Sequence, residues 1–155
     1  VINTPHNPSG STLKASDMAE LEKLIKGSDI MLISDEVYEH IVFDQQPHQS
    51  VARYPRLAKK SFSVFSFGKT FHNTGWKMGY ICGPSAMMTE FRKVHQFNVF
   101  TVNTPVQLAL ADYMEDPARY GGLAAFYQAK RDFFREGLAG SGFELLPCAG
   151  TCNST

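Results

Sequence analysis

The sequence predicts an α/β fold in which helices form layers on a largely parallel sheet. Two observations carry this prediction: short apolar runs alternate with longer segments of helical periodicity, and the apolar runs end abruptly in polar residues. The composition, with 43% hydrophobic and 19% charged residues, is that of a globular protein. A chain of 155 residues is also long enough to bury a sizeable core in one domain.

Five segments have the character of strands. The run at residues 29–33 is continuously apolar, which favours a strand covered on both faces, and the run at 62–67 repeats this design. A third run at 78–83 follows closely enough to form a neighbouring strand. Residues 1–3 indicate the end of a strand already in progress, and Leu145 begins a further one.

The first predicted helix spans residues 17–26, and Gly27 follows its end, as is typical of helix termination. Its apolar positions are Leu21, Leu24 and Ile25. Asp17 and Glu20 form its capping pair. Pro84 suits the first turn of a second helix. The apolar face of that helix consists of Met87, Phe91 and Val94.

Two further helices are predicted where a capping residue precedes a proline. Thr104-Pro105 starts a helix that ends near Met114, and Asp116-Pro117 starts one that ends near Leu138.

Several classes of protein are disfavoured by charge and composition. A formal net charge of zero gives no electrostatic reason to expect nucleic acid or an anionic membrane. No apolar run approaches the length of about 18 residues that spans a bilayer, and no signal-peptide plan is present, so a cytoplasmic location is expected. The cysteines are odd in number and form no Cys-x-x-Cys pair, which predicts free thiols: Cys82, Cys148 and Cys152. The five histidines form no pattern typical of a metal site.

Polar residues follow the predicted strands and indicate a site. The carboxyl ends of strands in an open α/β sheet meet at a crevice where ligands bind. Five residues lie at or just after such ends: Asn7, Asp35, Tyr38, Ser66 and Lys69.

Lys69 allows three interpretations. Gly68-Lys69-Thr70 matches the end of a nucleotide-binding loop, but the leading glycine of that motif is replaced by Ser63, which argues against it. A solvated surface lysine is the ordinary alternative. The third interpretation is a lysine that forms a Schiff base with a carbonyl, which requires a neutral amine. A pyridoxal phosphate carbonyl would further require a carboxylate for the ring nitrogen, donors for the ring hydroxyl oxygen, and hydroxyls and a cation for the phosphate.

Sequence motifs in a fixed order meet these requirements and carry a family resemblance over nearly the whole chain. They are "NTPHNPSG", "ISDEVYEHIVFD", "SFGKTFHNTGWKMGY", "NTPVQLALADY" and "FELLPCAGT". The sequence resembles the class I aminotransferases of the type I pyridoxal-phosphate fold, and within them the kynurenine and methionine aminotransferase group. The resemblance implies a three-layer sandwich with a mostly parallel mixed sheet, the large domain of that fold.

The resemblance also implies roles for individual residues. Lys69 matches the lysine that forms the Schiff base, and Asp35 matches the carboxylate on the pyridine nitrogen. Tyr38 and Asn7 match the donors to the ring hydroxyl oxygen, and Ser66 matches a phosphate-binding hydroxyl. Each also has a structural alternative, since Asp35 could cap a helix, Tyr38 could pack in a core, and Asn7 could serve a turn.

Two assignments lie further along the chain. Lys77 matches the cation on the phosphate; many family members have Arg there, and the kynurenine-type group is similar in using Lys. Phe100 falls in a segment that in relatives reaches into the active site of the neighbouring subunit, which implies a homodimer.

The resemblance implies a ping-pong transamination between an amino acid (methionine, aromatic or kynurenine-like) and a 2-oxo acid. A cysteine-conjugate β-lyase shares every residue named, and an inactive fragment or interaction module is the non-enzyme alternative. The family's phosphate loop would precede Val1, and its substrate-carboxylate arginine would follow Thr155. The chain is therefore expected to be a truncated central part, with residues 1–139 in the large domain and 140–155 starting the small domain.

Overall fold

Four strands form one mixed sheet in the computed structural model, which describes residues 1–151. They lie in chain order: β1 (Ile2–Asn3), β2 (Leu32–Asp35), β3 (Ser61–Ser66) and β4 (Gly79–Cys82). β1 pairs with β2 and β2 with β3 in parallel, whereas β3 and β4 are antiparallel. This confirms the predicted α/β class with a mostly parallel mixed sheet.

The helices occupy the connections between strands and the second half of the chain. They are α1 (Ala15–Ile25), α2 (Pro55–Ala58), α3 (Phe67–Thr70), α4 (Ser85–Asn98), α5 (Thr104–Met114) and α6 (Leu123–Gly137). Short 3-10 turns cover Val51–Arg53, Thr74–Trp76 and Pro117–Arg119. Within residues 1–151, no helix has the length and apolarity needed to cross a membrane.

Opposite faces of the sheet pack against different helices. Leu32 of β2 belongs to a buried cluster with Met18 and Ile25 of α1 and with Leu57 of α2. Successive strand residues point to opposite faces, so the side chain of Phe62 leaves the other face of the sheet. The Phe62 ring packs against Phe91 of α4, with 5.8 Å between centroids. Thus α1 packs on one face of the sheet, and α4 contacts the other face at β3.

A second core cluster lies beyond the end of β2. Tyr38, Ile41, Phe43 and Cys148 are buried there, and partly buried side chains of α6 pack against them. The cluster joins the segment after β2 to a chain segment more than a hundred residues later.

The predicted strand at 29–33 is shifted and is not covered on both faces. Parallel pairing begins at Leu32, which pairs with Ser61 at the start of β3, so Ile30 and Met31 precede the ladder and are exposed. Within β2 the burial alternates, because Leu32 is buried whereas Ile33 is 46% exposed. The predictions at 62–67 and 78–83 are confirmed as β3 and β4.

The first helix is confirmed, but its caps differ from those predicted. Lys14 is the N-cap residue, and Asp17 accepts a hydrogen bond from the Lys14 backbone N–H at 2.8 Å. Glu20 pairs with Lys23 one turn later instead of capping. Gly27 follows the helix in the left-handed region, with φ of 73°.

Of the later helices, α4 and α5 begin within one residue of the predicted starts, whereas α6 begins six residues after Pro117. Pro84 is the N-cap of α4, and Asn103 caps α5 by accepting from the Val106 N–H at 3.1 Å. Asp116 caps only the 3-10 turn at Pro117–Arg119, since Gly121 and Gly122 separate that turn from α6. The predicted helix ends near Met114 and Leu138 are confirmed.

The strand predicted from Leu145 does not form within the described residues. The backbone from 147 to 151 hydrogen-bonds to loops instead: Ala149 N–H and Gly150 N–H donate to Gly10, and Ala149 accepts from Phe43 N–H. Gly150 contributes a single antiparallel bridge with Val42. Cys82 is a free thiol, whereas Cys152 lies outside the described residues.

Candidate active site

The polar residues predicted to form a site follow the ends of three adjacent parallel strands. Asp35 ends β2, Ser66 ends β3, and Lys69 lies one turn into α3 immediately afterwards. Asn7 lies in the loop after β1, and Tyr38 lies in the turn after β2. Because β1, β2 and β3 are parallel neighbours, their carboxyl ends share one edge of the sheet.

Asn7 and Tyr38 meet across this edge. The Asn7 side-chain amide donates a hydrogen bond to the Tyr38 hydroxyl oxygen at 2.9 Å. Tyr38 is only 3% exposed, so its ring is also a core side chain, as the packing alternative expected. An oxygen that accepts from an amide still carries its own hydrogen, which can be donated to a further acceptor.

The Lys69 amine lies beside the same tyrosine. Its Nζ is 5.6 Å from the centroid of the Tyr38 ring. Within the described residues Nζ makes no hydrogen bond and no ion pair. The partly buried amine therefore faces an aromatic ring with its hydrogen-bonding capacity unused.

Asp35 uses one of its two carboxylate oxygens locally. Oδ1 accepts from the Val37 backbone N–H at 3.3 Å, a local contact within a turn rather than the helix cap of the structural alternative, since residues 37–40 form no helix. Oδ2 accepts no hydrogen bond from residues 1–151. One carboxylate oxygen at the strand end is thus available for a protonated ligand nitrogen.

The turn that carries Lys77 is fixed to the turn that carries Lys69. Thr74 Oγ1 donates to the Gly68 carbonyl at 3.1 Å. A Cβ on Gly68 would lie 2.9 Å from Thr74 Cα, so only glycine permits this approach. Lys77 itself is exposed and adopts a left-handed backbone with φ of 55°.

Three of the predicted site residues, Ser66, Lys77 and Phe100, have side chains without a hydrogen bond or ring contact among residues 1–151. Among residues 1–151, neither the Ser66 hydroxyl nor the Lys77 amine has a hydrogen-bond partner. Phe100 is 73% exposed and makes no ring contact there. The structure therefore groups Asn7, Tyr38 and Lys69 by contact, whereas it gives no contact that joins Lys77 or Phe100 to them.

Asn3 and Glu36 support the site but are absent from the sequence-based set. The Asn3 amide donates to the Asp35 carbonyl at 3.0 Å, and its Oδ1 accepts from the Asn7 N–H at 3.1 Å. One side chain therefore links the loop of Asn7 to the end of β2. Its position at the end of the first strand was the available signal, since the same criterion selected Asp35.

Glu36 is fully buried beside this edge. Burial by itself would raise the pKa of Glu36, but hydrogen bonds from His48, Ser50, Ser34 and the Val51 N–H outweigh it, so the pKa lies below its usual value. Glu36 is therefore a buried carboxylate that remains ionised near neutral pH. The local sequence does not identify Glu36 as a buried carboxylate, because its partners His48 and Val51 are brought to it by the loop that follows.

Tyr80 lies behind Ser66 on the antiparallel strand. Burial raises the pKa of the Tyr80 phenol, and the nearby Glu39 carboxylate, 3.5 Å from its hydroxyl, acts in the same direction. Tyr80 is therefore a neutral phenol stacked on Phe65, with 4.6 Å between ring centroids.

Comparison with known proteins identifies the family of the chain. The family model described as "Aminotransferase class I and II" matches residues 1–151. The chain belongs to this family. This confirms the resemblance drawn from the motifs around Asn7, Asp35 and Lys69.

Two relatives of this chain are named as an aminotransferase and a transaminase. Methionine aminotransferase of Escherichia coli is 51% identical over 152 residues, which cover 97% of this chain and 39% of that protein. The kynurenine–oxoglutarate transaminase of Dictyostelium discoideum is 35% identical over 156 residues, covering 97% of this chain and 36% of that protein.

Solved structures give the same family and confirm the expected fold. The crystal structure of an Escherichia coli protein with a methionine aminotransferase function matches with a TM-score of 0.93 at 51% identity. The match covers 97% of this chain and 40% of that chain. The aromatic aminotransferase from Pyrococcus horikoshii matches with a TM-score of 0.88 at 29% identity, covering 97% and 41%. The present chain spans about two fifths of the length of these relatives.

Proposed function

We propose that these residues belong to a pyridoxal-phosphate-dependent aminotransferase. It would move an amino group from methionine, an aromatic amino acid or a kynurenine-like amino acid to a 2-oxo acid. The observation that carries the proposal is the grouping of the Lys69 amine, the Tyr38 hydroxyl and the Asn7 amide at the carboxyl ends of parallel strands. The 51% identity with a methionine aminotransferase supports methionine as the first donor to test.

The donor set fits pyridoxal phosphate. The Oδ2 of Asp35 suits a protonated ring nitrogen, and the Tyr38 hydroxyl and the Asn7 amide suit a ring oxygen. The unused Ser66 hydroxyl and Lys77 amine suit a phosphate. These residues would hold the cofactor, and Lys69 would attach to it.

Each side chain has one task in the proposed reaction. Bound pyridoxal phosphate supplies a carbonyl for amines and a ring that accepts electron density from the substrate Cα. Asp35 holds the proton on the ring nitrogen, because its carboxylate stabilises the positive charge there. Lys69 Nζ would act as the general base for the Cα proton of the substrate. Tyr38 and Asn7 orient the ring by donating to its oxygen.

Further features of the proposal rest on the family. We place the full protein in the cytoplasm as a homodimer, with Phe100 near the substrate of the neighbouring subunit. Residues 1–139 would belong to the cofactor-binding large domain, and residues 140–155 would begin the small domain.

The test is a half-reaction with the complete translated product of the reading frame that encodes this chain. Loaded with pyridoxal phosphate, it should convert methionine to its 2-oxo acid without an acceptor, in an amount equal to the enzyme, as a ping-pong mechanism requires. Lys69→Ala should slow this step by about 10²–10⁴-fold. Pyruvate and thiol from a cysteine conjugate, without 2-oxo acid from methionine, aromatic amino acids or kynurenine, would contradict transamination and favour the β-lyase.

A further inference from the structure

The backbone of Glu36 connects the sheet to the turn that carries Tyr38. Its N–H donates to the Val64 carbonyl at 2.9 Å, which continues the pairing of β2 with β3 by one residue. Its carbonyl accepts from the Glu39 N–H at 3.0 Å and so closes the turn. Glu36 is therefore the point where the chain leaves the strand of Asp35 and enters the turn of Tyr38.

The side chain of Glu36 anchors this point from inside the protein. It is fully buried. Oε1 accepts from Ser34 Oγ at 2.8 Å and from the Val51 N–H at 3.1 Å, and Oε2 lies 2.9 Å from His48 Nε2. An ionised carboxylate only accepts hydrogen bonds, so His48 is the donor in this contact.

The Glu36 carboxylate connects two separate segments of the chain. Ser34 belongs to β2, whereas His48 and Val51 belong to the loop that returns before α2. The His48 carbonyl in turn accepts from Arg53 Nη1 at 2.9 Å. If the carboxylate were removed, Ser34, His48 and the Val51 N–H would lose a buried acceptor, and the turn would relax to satisfy them elsewhere.

We propose that Glu36 is a positioning residue, whose carboxylate, held by Ser34, His48 and Val51, fixes the placement of Asp35 relative to Tyr38. This inference rests on the proposed function, because Asp35 and Tyr38 are the groups assigned there to the ring nitrogen and the ring oxygen of the cofactor. Glu36 itself touches neither substrate nor cofactor. It acts through the geometry of Asp35, one residue before it, and of Tyr38, two residues after it.

The test compares three variants of the complete translated product. Glu36→Ala removes the anchor. Glu36→Gln is the conservative variant, since its amide oxygen can still accept from Ser34 and Val51. Leu57→Ala is the control for stability, because Leu57 is an equally buried side chain in the cluster under α1 rather than at the strand ends. The readouts are the affinity for pyridoxal phosphate and the circular dichroism of the bound cofactor, which reports its orientation.

We expect Glu36→Ala to lose most of the cofactor dichroism per bound molecule and to weaken cofactor binding about tenfold. Glu36→Gln should retain most of the signal, and Leu57→Ala should retain all of it. Wild-type dichroism in Glu36→Ala, or an equal loss in Leu57→Ala, would overturn the proposal.

Hydrogen exchange in the cofactor-free protein separates this inference from the proposed function. Backbone amides from 36 to 41 should exchange faster in Glu36→Ala than in Leu57→Ala. A wild-type protein that fails to bind pyridoxal phosphate would contradict the proposed function, whereas unchanged exchange at 36–41 would overturn the anchor itself.

Discussion

Single side chains at the carboxyl ends of β1, β2 and β3 account for most of the chemistry proposed for this chain. Asn7 donates to Tyr38, Tyr38 lies beside Lys69, and Asp35 retains a free carboxylate oxygen. These contacts are local in space but come from three separate strands. The free energy that each contact contributes to stability therefore also reports how firmly the carboxyl ends of β1, β2 and β3 are held together.

A double-mutant cycle tests the contact between Asn7 and Tyr38. We compare the free energies of unfolding of Asn7→Ala, Tyr38→Phe and the double variant by urea denaturation. The hydrogen bond predicts a coupling energy of about 0.5–1.5 kcal/mol, because Asn7→Ala removes its donor and Tyr38→Phe removes its acceptor. Strictly additive effects would show that the two side chains do not interact in solution.

Glu36 predicts a specific loss of stability in acid. Its pKa in the folded protein lies below the ordinary value of 4.5, because hydrogen bonds to the carboxylate outweigh the effect of burial. The folded state therefore binds a proton on Glu36 less readily than the unfolded state does. The resulting stabilisation is fully present above pH 4.5 and is lost as the pH falls below that value. Urea unfolding of wild type and Glu36→Gln measures this.

The stability advantage of wild type over Glu36→Gln should shrink as the pH is lowered from neutrality through that range. A difference that stays constant from neutral to acidic pH would contradict an ionised Glu36 in the folded protein.

At the scale of elements, Arg131 adds polar contacts to the attachment of α6. Arg131 donates to both carboxylate oxygens of Asp44, at 2.7 Å each, and to the Cys148 carbonyl at 2.9 Å. Its guanidinium also lies 4.8 Å from the centroid of the Phe43 ring. Arg131 is almost fully buried, and its hydrogen bonds lower the pKa of Asp44. The helix is thus fixed to the segment that follows Tyr38.

Arg131→Lys should destabilise the protein, because an ammonium cannot reproduce the two parallel bonds to Asp44 together with the bond to Cys148. We expect a loss of about 1–2 kcal/mol in the free energy of unfolding, a range that allows for the exposure of Asp44. Arg135→Lys on the same helix is the matched control, expected within about 0.5 kcal/mol of wild type because Arg135 is exposed. Equal effects of the two changes would contradict the role given to Arg131.

At the scale of the whole molecule, the sequence predicted those features that depend on local pattern. The apolar runs predicted β3 and β4, and the rule for strand ends placed Asp35 and Lys69 at one edge. Leu145 did not start a strand, because its neighbours found backbone partners on Gly10 and Phe43, which local propensity does not encode. Glu36 was missed for the same reason, since two of its partners, His48 and Val51, lie in a loop that the local sequence around Glu36 does not reveal.

The contact between the two ends of the described chain can be tested with a pair of glycines. Gly10 and Gly27 both have positive φ, of 69° and 73°. A Cβ on Gly10 would lie 2.5 Å from Cys148 Sγ, whereas a Cβ on Gly27 would meet nothing within 4 Å. Both alanine variants carry the backbone strain, so their difference isolates the packing against Cys148.

We expect Gly10→Ala to lower the free energy of unfolding by about 1–3 kcal/mol more than Gly27→Ala, as overpacking in a core does. Urea denaturation of both variants measures the difference. Equal costs would indicate that Cys148 does not pack on Gly10 in solution.

The central claim is that Lys69 is the residue to which pyridoxal phosphate attaches. The most direct measurement incubates the complete translated product with pyridoxal phosphate, reduces it with borohydride, and maps the modified peptide by mass spectrometry. We predict a single stable adduct on Lys69, and no adduct at that peptide in Lys69→Ala. An adduct on another lysine such as Lys77, or no adduct on any lysine, would contradict the account.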